Sequence, residues 1–307
     1  MTDEQQPSLL RAEGLTKDYD GTRVVDSVDI EVRGGEIFGF LGPNGAGKTT
    51  TINMMAGLIE PTSGRCLIKG IDAIRKPIEA KRIIGYLPDG IGFYGNLNAK
   101  QNLTYLSKFY DIKDAGNRID ELIKYVGLDG VKVPVGKYSR GMRQRLGLAL
   151  ALINDPEVIF MDEPTNGLDP EGVILFRKIA REQAANGKAI VLSTHALEEV
   201  GQLCSAFGII QKGKLTVKGS MDDLRNGLRS DGHVHIKVRT SGALPELHTP
   251  GIVSAVYRGG EADIVASGDI TDRIATDLCA SHIAVRELRV MGTSLEDLFM
   301  QTVYGGV

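Results

Sequence analysis

The stretch GPNGAGKTT, Gly42 to Thr50, carries the clearest chemistry in the chain. It follows the apolar run EIFGFL and opens a helical pattern. The spacing fits G-x-x-x-x-G-K-[ST], whose glycines let successive backbone N–H groups curl toward phosphates. The helix start behind them adds partial positive charge. Lys48 then reaches the β- and γ-phosphates of a nucleotide, and Thr49 offers a hydroxyl to Mg²⁺. A second stretch, EVIFMDEPTNGLDP, supplies the complement. Its apolar strand ends in Asp162, a carboxylate at the C-terminal edge of the sheet that holds Mg²⁺ through water. Glu163 is the group placed to orient or deprotonate an attacking water.

A third stretch, KYSRGMRQRLGLALAL, starts at Lys137. It opens with a Ser and a Gly among basic residues and continues as an apolar helix, with no pocket of its own. Ser139 and Gly141 present a hydroxyl and a backbone N–H at that helix start, which is an anion site by the same physics.

These residues need a frame. Short strands are expected over residues 9 to about 40, then a helix over KTTTINMMAGLI from Lys48. Further strands read RIIGYL (82–87), EVIFM (157–161), KAIVLS (188–193) and AFGIIQ (206–211), with helical stretches between them. Strands alternating with helices predict an α/β domain over residues 8–228 with a mostly parallel sheet. Residues 92–153 are mainly helical and read as a subdomain inserted into that core. Within it, Leu103, Leu106 and Tyr110 share one helix side, a core stripe or a docking groove. Residues 229–307 change character. Strands GHVHIKVRT, IVSAVYR, ADIVAS and VRELRV and helices over ALPELH, DITDRIATDLCA and SLEDLFMQTV predict a small α+β domain of ferredoxin-like β-α-β-β-α-β order. His233 and His235 share a strand face there, with no third metal ligand identifiable and Cys279 the nearest thought of a partner; they read as surface residues.

The bulk numbers narrow the class. The chain has 307 residues, 42% hydrophobic and 24% charged, with a formal net charge of -3. That argues against binding nucleic acid or anionic lipid by bulk charge. Cys66, Cys204 and Cys279 are far apart and read as reduced thiols. The opening MTDEQQPSLLRAEG lacks the basic region and apolar core of a signal peptide, and no apolar run approaches the roughly 20 residues of a membrane helix.

GPNGAGKTT, YSRGMRQ, VIFMDEPTNGLD and VLSTH occur in the order and spacing of an ABC transporter ATPase subunit, and residues 8–228 resemble that family. No N-K-x-D guanine motif is present, which argues against a GTPase. The resemblance implies a P-loop NTPase fold of ABC type, with a mostly parallel core, N-terminal antiparallel strands and an inserted helical subdomain. It implies ATP binding by Gly42, Pro43, Asn44, Gly45, Ala46, Gly47, Lys48, Thr49 and Thr50, with Tyr19 stacking on adenine. Lys48, Glu163 and His195, the switch histidine, are the implied catalytic residues. Thr49, Asp89 and Asp162 are the implied Mg²⁺ positions. Ser139, Arg140, Gly141 and Met142 fall at the signature, and Asp169 at the D-loop; these complete a partner's ATP site in trans.

Two motifs depart from the family pattern, the loop after IIGYL and the signature. Asp89, in LPDGIGFY, replaces a glutamine that reports the γ-phosphate; it can accept from water or ligate Mg²⁺. Arg140 replaces a glycine in the signature, and Met142 a glutamine. The implied partners are a second copy or a homologous ATPase subunit, and integral-membrane permease subunits. The implied location is cytoplasmic, peripheral on the cytoplasmic face of the membrane. The tail, including SLEDLF, resembles exporter-type ATPases. A soluble ABC ATPase acting on ribosomes or DNA usually has two cassettes or a coiled-coil insertion, and this chain has neither. A regulatory module that holds ATP without turnover is disfavoured by the intact Lys48, Asp162, Glu163 and His195.

Overall fold

A computed structural model describes residues 7–110, 112, 115–222 and 233–291, with 295 and 299. The chain divides into two compact units, Met1–Lys218 and Gly219–Val307.

In the first unit, β1 (Ser8–Tyr19) and β2 (Thr22–Arg33) pair antiparallel. Their turn residues Asp20 and Gly21 have φ of 47° and 80°, the paired positive values of a hairpin turn that matches strand twist. β3 (Ile37–Leu41) is buried along its whole length. α1 (Lys48–Met55) follows the glycine-rich loop. It stops short of the expected Ile59 because Gly57 turns left-handed, at φ 65°, and donates its N–H to the Met54 carbonyl. β4 (Ser63–Ile68) and β5 (Ile71–Asp72) extend the first sheet in the order β2-β1-β4-β5. α2 (Pro77–Lys81) leads to β6 (Ile84–Leu87).

The helical segment comprises α3 (Ala99–Ser107), a 3₁₀ turn at Lys108–Tyr110, α4 (Ala115–Tyr125) and α5 (Arg140–Ala151). Asn98 and Gln101 close a reciprocal capping box at the start of α3. Leu103 is buried, while Leu106 and Tyr110 are half-buried. Then come β7 (Val158–Asp162), α6 (Pro170–Ala185), β8 (Ala189–Thr194), α7 (Leu197–Leu203), β9 (Ala206–Gln211) and β10 (Lys214–Ser220).

The second sheet of this unit runs β10-β9-β3-β8-β7-β6, and its β9/β3, β3/β8, β8/β7 and β7/β6 pairs are parallel. β3, β7 and β8 are buried at every position, as expected of inner strands covered on both faces. The main core joins Leu10, Val25 and Ile30 of the first sheet to Phe40, Phe160 and Val191 of the second, with Ile52 and Met55 of α1 in the same cluster. Each fully buried Ile or Phe there contributes roughly 2–3 kcal/mol of transfer free energy. The register sets Leu41 beside Thr194 and Asp162 beside Ser193. The chemistry-bearing loops therefore leave the sheet from neighbouring strand ends, the usual crevice of an open parallel sheet.

In the second unit, β11 (Val234–Thr240), β12 (Ile252–Arg258), β13 (Glu261–Ala266) and β14 (Val285–Met291) form an antiparallel sheet of order β12-β13-β11-β14. Ile274 and Leu278 of the helix Thr271–Ala280 pack with Ile236, Val238 and Ile264. The expected helix over ALPELH is not formed. Pro245 interrupts it, and the N–H groups of Leu244 and Leu247 donate instead to the Gly259 carbonyl (2.9 Å) and to Tyr257 Oη (2.8 Å). The described order is thus β-β-β-α-β; the expected helix over SLEDLFMQTV lies outside the described residues apart from Leu295 and Phe299. Among the described residues, no group of three His, Cys, Asp or Glu gathers as a metal site, and no helix is long and apolar enough to cross a membrane.

Candidate active site

A cavity of about 360 Å³ opens where β3, β7 and β8 end. It is lined by Pro43, Asn44, Gly45, Gly47, Lys48, Thr49 and Thr50 from the glycine-rich loop, by Asp162, Glu163, Asn166 and His195, and by Val24 and Asp89. Gly47 is the N-cap of α1 at φ 105°, and a Cβ there would lie 2.8 Å from the Val24 carbonyl. Only glycine fits that turn. Lys48 is 6% exposed. Its ammonium donates to the Gly42 carbonyl (2.7 Å) and the Pro43 carbonyl (3.3 Å), and lies 3.6 Å from Glu163 Oε1. Gly42 and Ala46 lie outside the cavity lining, and the Ala46 N–H closes the loop on the Pro43 carbonyl at 3.2 Å.

Thr49 Oγ1 donates to Asp162 Oδ2 at 2.7 Å, and Ser193 Oγ donates to Asp162 Oδ1. Asp162 is 3% exposed, so its charge is offset by these bonds within an otherwise apolar strand end. Its negative charge, after burial itself, helps push the Tyr86 hydroxyl up to about 12. Tyr86 Oη in turn donates to Asn53 Oδ1 on α1 at 2.7 Å, tying β6 to the helix behind the loop.

Glu163 has φ 48°, in the left-handed region that a side-chain-bearing residue enters only when held there. Its N–H donates to both Ser193 Oγ and the Ser193 carbonyl, each at 3.1 Å. Its carboxylate spans two partners: Oε1 faces Lys48, and Oε2 lies 2.9 Å from His195 Nδ1. An ionised Glu163 keeps the proton on Nδ1, which leaves Nε2 of His195 as an acceptor. One carboxylate is therefore aimed between a buried ammonium and an exposed imidazole, the arrangement that a positioned proton acceptor needs.

The remaining predicted residues, Asp89 apart, lie outside this cavity's lining. Tyr19, at the end of β1, is 42% exposed, with Lys17 Nζ 5.0 Å from its ring centroid. Ser139 is the N-cap of α5, and its Oγ accepts from the Met142 N–H at 3.1 Å. Arg140 is exposed, and Gly141 and Met142 are half-buried. Asp169 caps α6, accepting from the Gly172 N–H at 2.8 Å. Asp89 lines the cavity, but its Oδ1 is engaged by Arg140 Nη2 at 3.2 Å and Asn166 Nδ2 at 3.4 Å. Three partners were not singled out in the sequence: Ser193, Asn166, and Gln144, whose Nε2 donates to the Pro164 carbonyl. Ser193 sits inside the VLSTH stretch, which is the signal that points to it.

The comparisons with known proteins agree with this geometry. Residues 25–166 match the family model for the ABC transporter. The chain is 37% identical to the bacitracin transport ATP-binding protein BcrA of Bacillus licheniformis, over 97% of this chain and 98% of that one. It is 32% identical to the linearmycin resistance ATP-binding protein LnrL of Bacillus subtilis, over 95% and 97%. A solved structure of an ATP-binding subunit of an ABC transporter superposes with a TM-score of 0.67 at 31% identity, covering 72% of this chain and 95% of that chain. These relatives favour a transport subunit over a soluble ATPase of ribosomes or DNA. Matching such ATP-binding proteins at 37% and 32% identity over nearly its whole length, the chain belongs to the ATP-hydrolysing, ATP-binding subunits of ABC transporters.

Proposed function

We propose that ATP binds in the cavity between β3, β7 and β8, and that Glu163 is the general base of hydrolysis. The observation that carries this is the placement of Glu163 between Lys48 and His195. Lys48 leaves its own loop carbonyls to meet the β- and γ-phosphates, and the loop N–H groups hold the rest of the triphosphate. Glu163 takes the proton of the attacking water, and His195 orients that water by accepting from it through Nε2. Tyr19 offers an aromatic face to adenine.

The oxygen donors of Thr49 and Asp162, joined at 2.7 Å, suit Mg²⁺, which keeps several waters and takes one or two protein ligands. Those two residues would hold it, and it would neutralise developing phosphate charge; Asp89, whose Oδ1 already accepts from Arg140 and Asn166, is left out of that ligand set. A purified chain should hydrolyse ATP, and Glu163→Gln should slow phosphate release about 100-fold or more while ATP binding persists. Near-normal turnover in that variant would remove Glu163 from the role, and turnover that survives Lys48→Ala would remove the cavity.

Residues 8–228 form the ATPase cassette in this reading, with its helical subdomain at 92–153. Residues 229–307 form a small α+β domain that supports dimers or regulation. The cassette works as a pair, a homodimer or a heterodimer with a second ATPase subunit. Ser139, Arg140, Gly141, Met142 and Asp169 face the partner's ATP; their position outside their own cavity supports this. Two ATPs that touch both halves only when closed can drive an open–closed cycle.

Separate permease subunits place the chain on the cytoplasmic membrane face. An apolar groove of about 460 Å³, with Leu58, Ile78, Ile91, Phe109, Tyr110 and Leu150 in its wall, is a fitting seat for them. Phe109 is 75% exposed there, unusual for a large apolar residue. Phe109→Asp should release the chain from permease-containing membranes while ATPase activity of the isolated chain persists; unchanged retention would discard the groove. The direction is outward and the cargo antibiotic-like, supported by end-to-end relatives named for bacitracin transport and linearmycin resistance.

A further inference from the structure

Two of the positions at which the chain departs from the family pattern touch each other. Asp89 stands in the loop after β6, where the pattern carries glutamine, and Arg140 opens α5, where it carries glycine. Arg140 Nη2 lies 3.2 Å from Asp89 Oδ1, and Asn166 Nδ2 donates to that same oxygen at 3.4 Å. The Arg140 stem lies over Gly167, so a Cβ at Gly167 would come within 2.4 Å of Arg140 Cδ. The loop after β6, the loop after β7 and the first turn of α5 thus meet around one carboxylate. A second close contact joins the same parts: a Cβ on Gly147 of α5 would fall 1.8 Å from Ile91 Cδ1.

Each departure is unfavourable by itself. A carboxylate in the lining of a phosphate cavity repels the bound triphosphate. A guanidinium in the first turn of a helix opposes the positive end of the helix dipole. Paired, each offsets the other. Both side chains are largely exposed, 62% for Arg140 and 50% for Asp89. The pair therefore adds little to folding stability. What it changes is the local field at the cavity and the direction in which the Asp89 loop is held.

We propose that Asp89 and Arg140 act as one positioning unit, in which Arg140 neutralises Asp89 and fixes its loop against the start of α5, and so sets ATP affinity. This rests on the reading of the cavity as the ATP site. Arg140 does not itself touch the nucleotide of its own chain in this proposal; it acts through Asp89. The unit also couples the loop that meets the γ-phosphate to the helix that meets the partner.

The test uses the full chain carrying Glu163→Gln, with ATP·Mg²⁺ binding followed by calorimetry. Lys48→Ala should abolish binding in this background; binding that persists would refute the cavity reading itself, and the proposal with it. Arg140→Gln should weaken binding about fivefold to tenfold at low salt, because Asp89 is then uncompensated, and less at high salt, where the repulsion is screened. Adding Asp89→Gln should restore affinity to within about twofold of the parent, the non-additivity expected of a coupled pair. Melting temperatures of all variants should stay close to the parent, which separates the effect from misfolding. No loss in Arg140→Gln, or a loss that Asp89→Gln does not repair, would overturn the pairing.

Discussion

Glu163 pays for its place with backbone strain of roughly 1–3 kcal/mol, since φ 48° is a poor conformation for a residue with a Cβ. Two hydrogen bonds to Ser193 hold it there. Glu199 on α7 is a buried acid of a different kind. It is 3% exposed, its Oε2 accepts from Thr165 Oγ1 at 3.1 Å, and among the described residues its Oε1 has no hydrogen-bond partner. Burial raises its carboxyl above the ordinary range. The folded state therefore holds the Glu199 proton more tightly than the unfolded state does. Its contribution to stability is full below the unfolded pKa and is lost as pH rises through the raised folded value. Glu199→Gln keeps an acceptor for Thr165 and removes that loss. It should raise the melting temperature more at pH 8 than at pH 5; an equal shift at both would contradict a raised Glu199 carboxyl. At this scale the motif residues were legible because each sits where its motif and strand end force it. Ser193, Asn166, Gln144 and the Thr165–Glu199 bond were not, because they join loops far apart in sequence and no local pattern encodes such a meeting.

Elements position these residues by register and close approach. β6 and α5 meet at Gly85, where a Cβ would lie 2.1 Å from the Ala151 carbonyl and 2.9 Å from Pro156 Cγ. Backbone blocks one side, so Gly85→Ala should destabilise the first unit by roughly 2 kcal/mol, read by urea unfolding. A cost near zero would show that β6 and α5 can separate freely. Continuous apolar runs such as IFGFL and AIVLS made the inner strands legible. β4, β5 and α2 were missed because they are short and largely exposed or half-exposed, so no apolar period marks them. ALPELH was misread because its apolar spacing suits a helix, while Pro245 and N–H partners on the neighbouring hairpin decide otherwise.

At the scale of the whole molecule, the cavity and the signature stand apart within one chain. The cavity holds Lys48, Asp162, Glu163 and His195 but none of the signature residues. α5 starts with Ser139 exposed and Gly141 half-buried, and neither meets that cavity. A signature that lines no cavity of its own is explained if it completes a second copy's site across a two-fold interface. Sequence order alone indicated this division only through family resemblance, since no spacing rule states which chain a helix start will face.

The central claim is that active sites form between chains. The direct measurement mixes two inactive variants of the full chain, Lys48→Ala and Ser139→Arg, and follows phosphate release. If sites form in trans, half of the randomly paired dimers carry one intact site, and activity should return to about a quarter of the parent level. If mixing restores nothing while the parent turns over at the same specific rate at every protein concentration, each chain is complete in itself and the account is wrong.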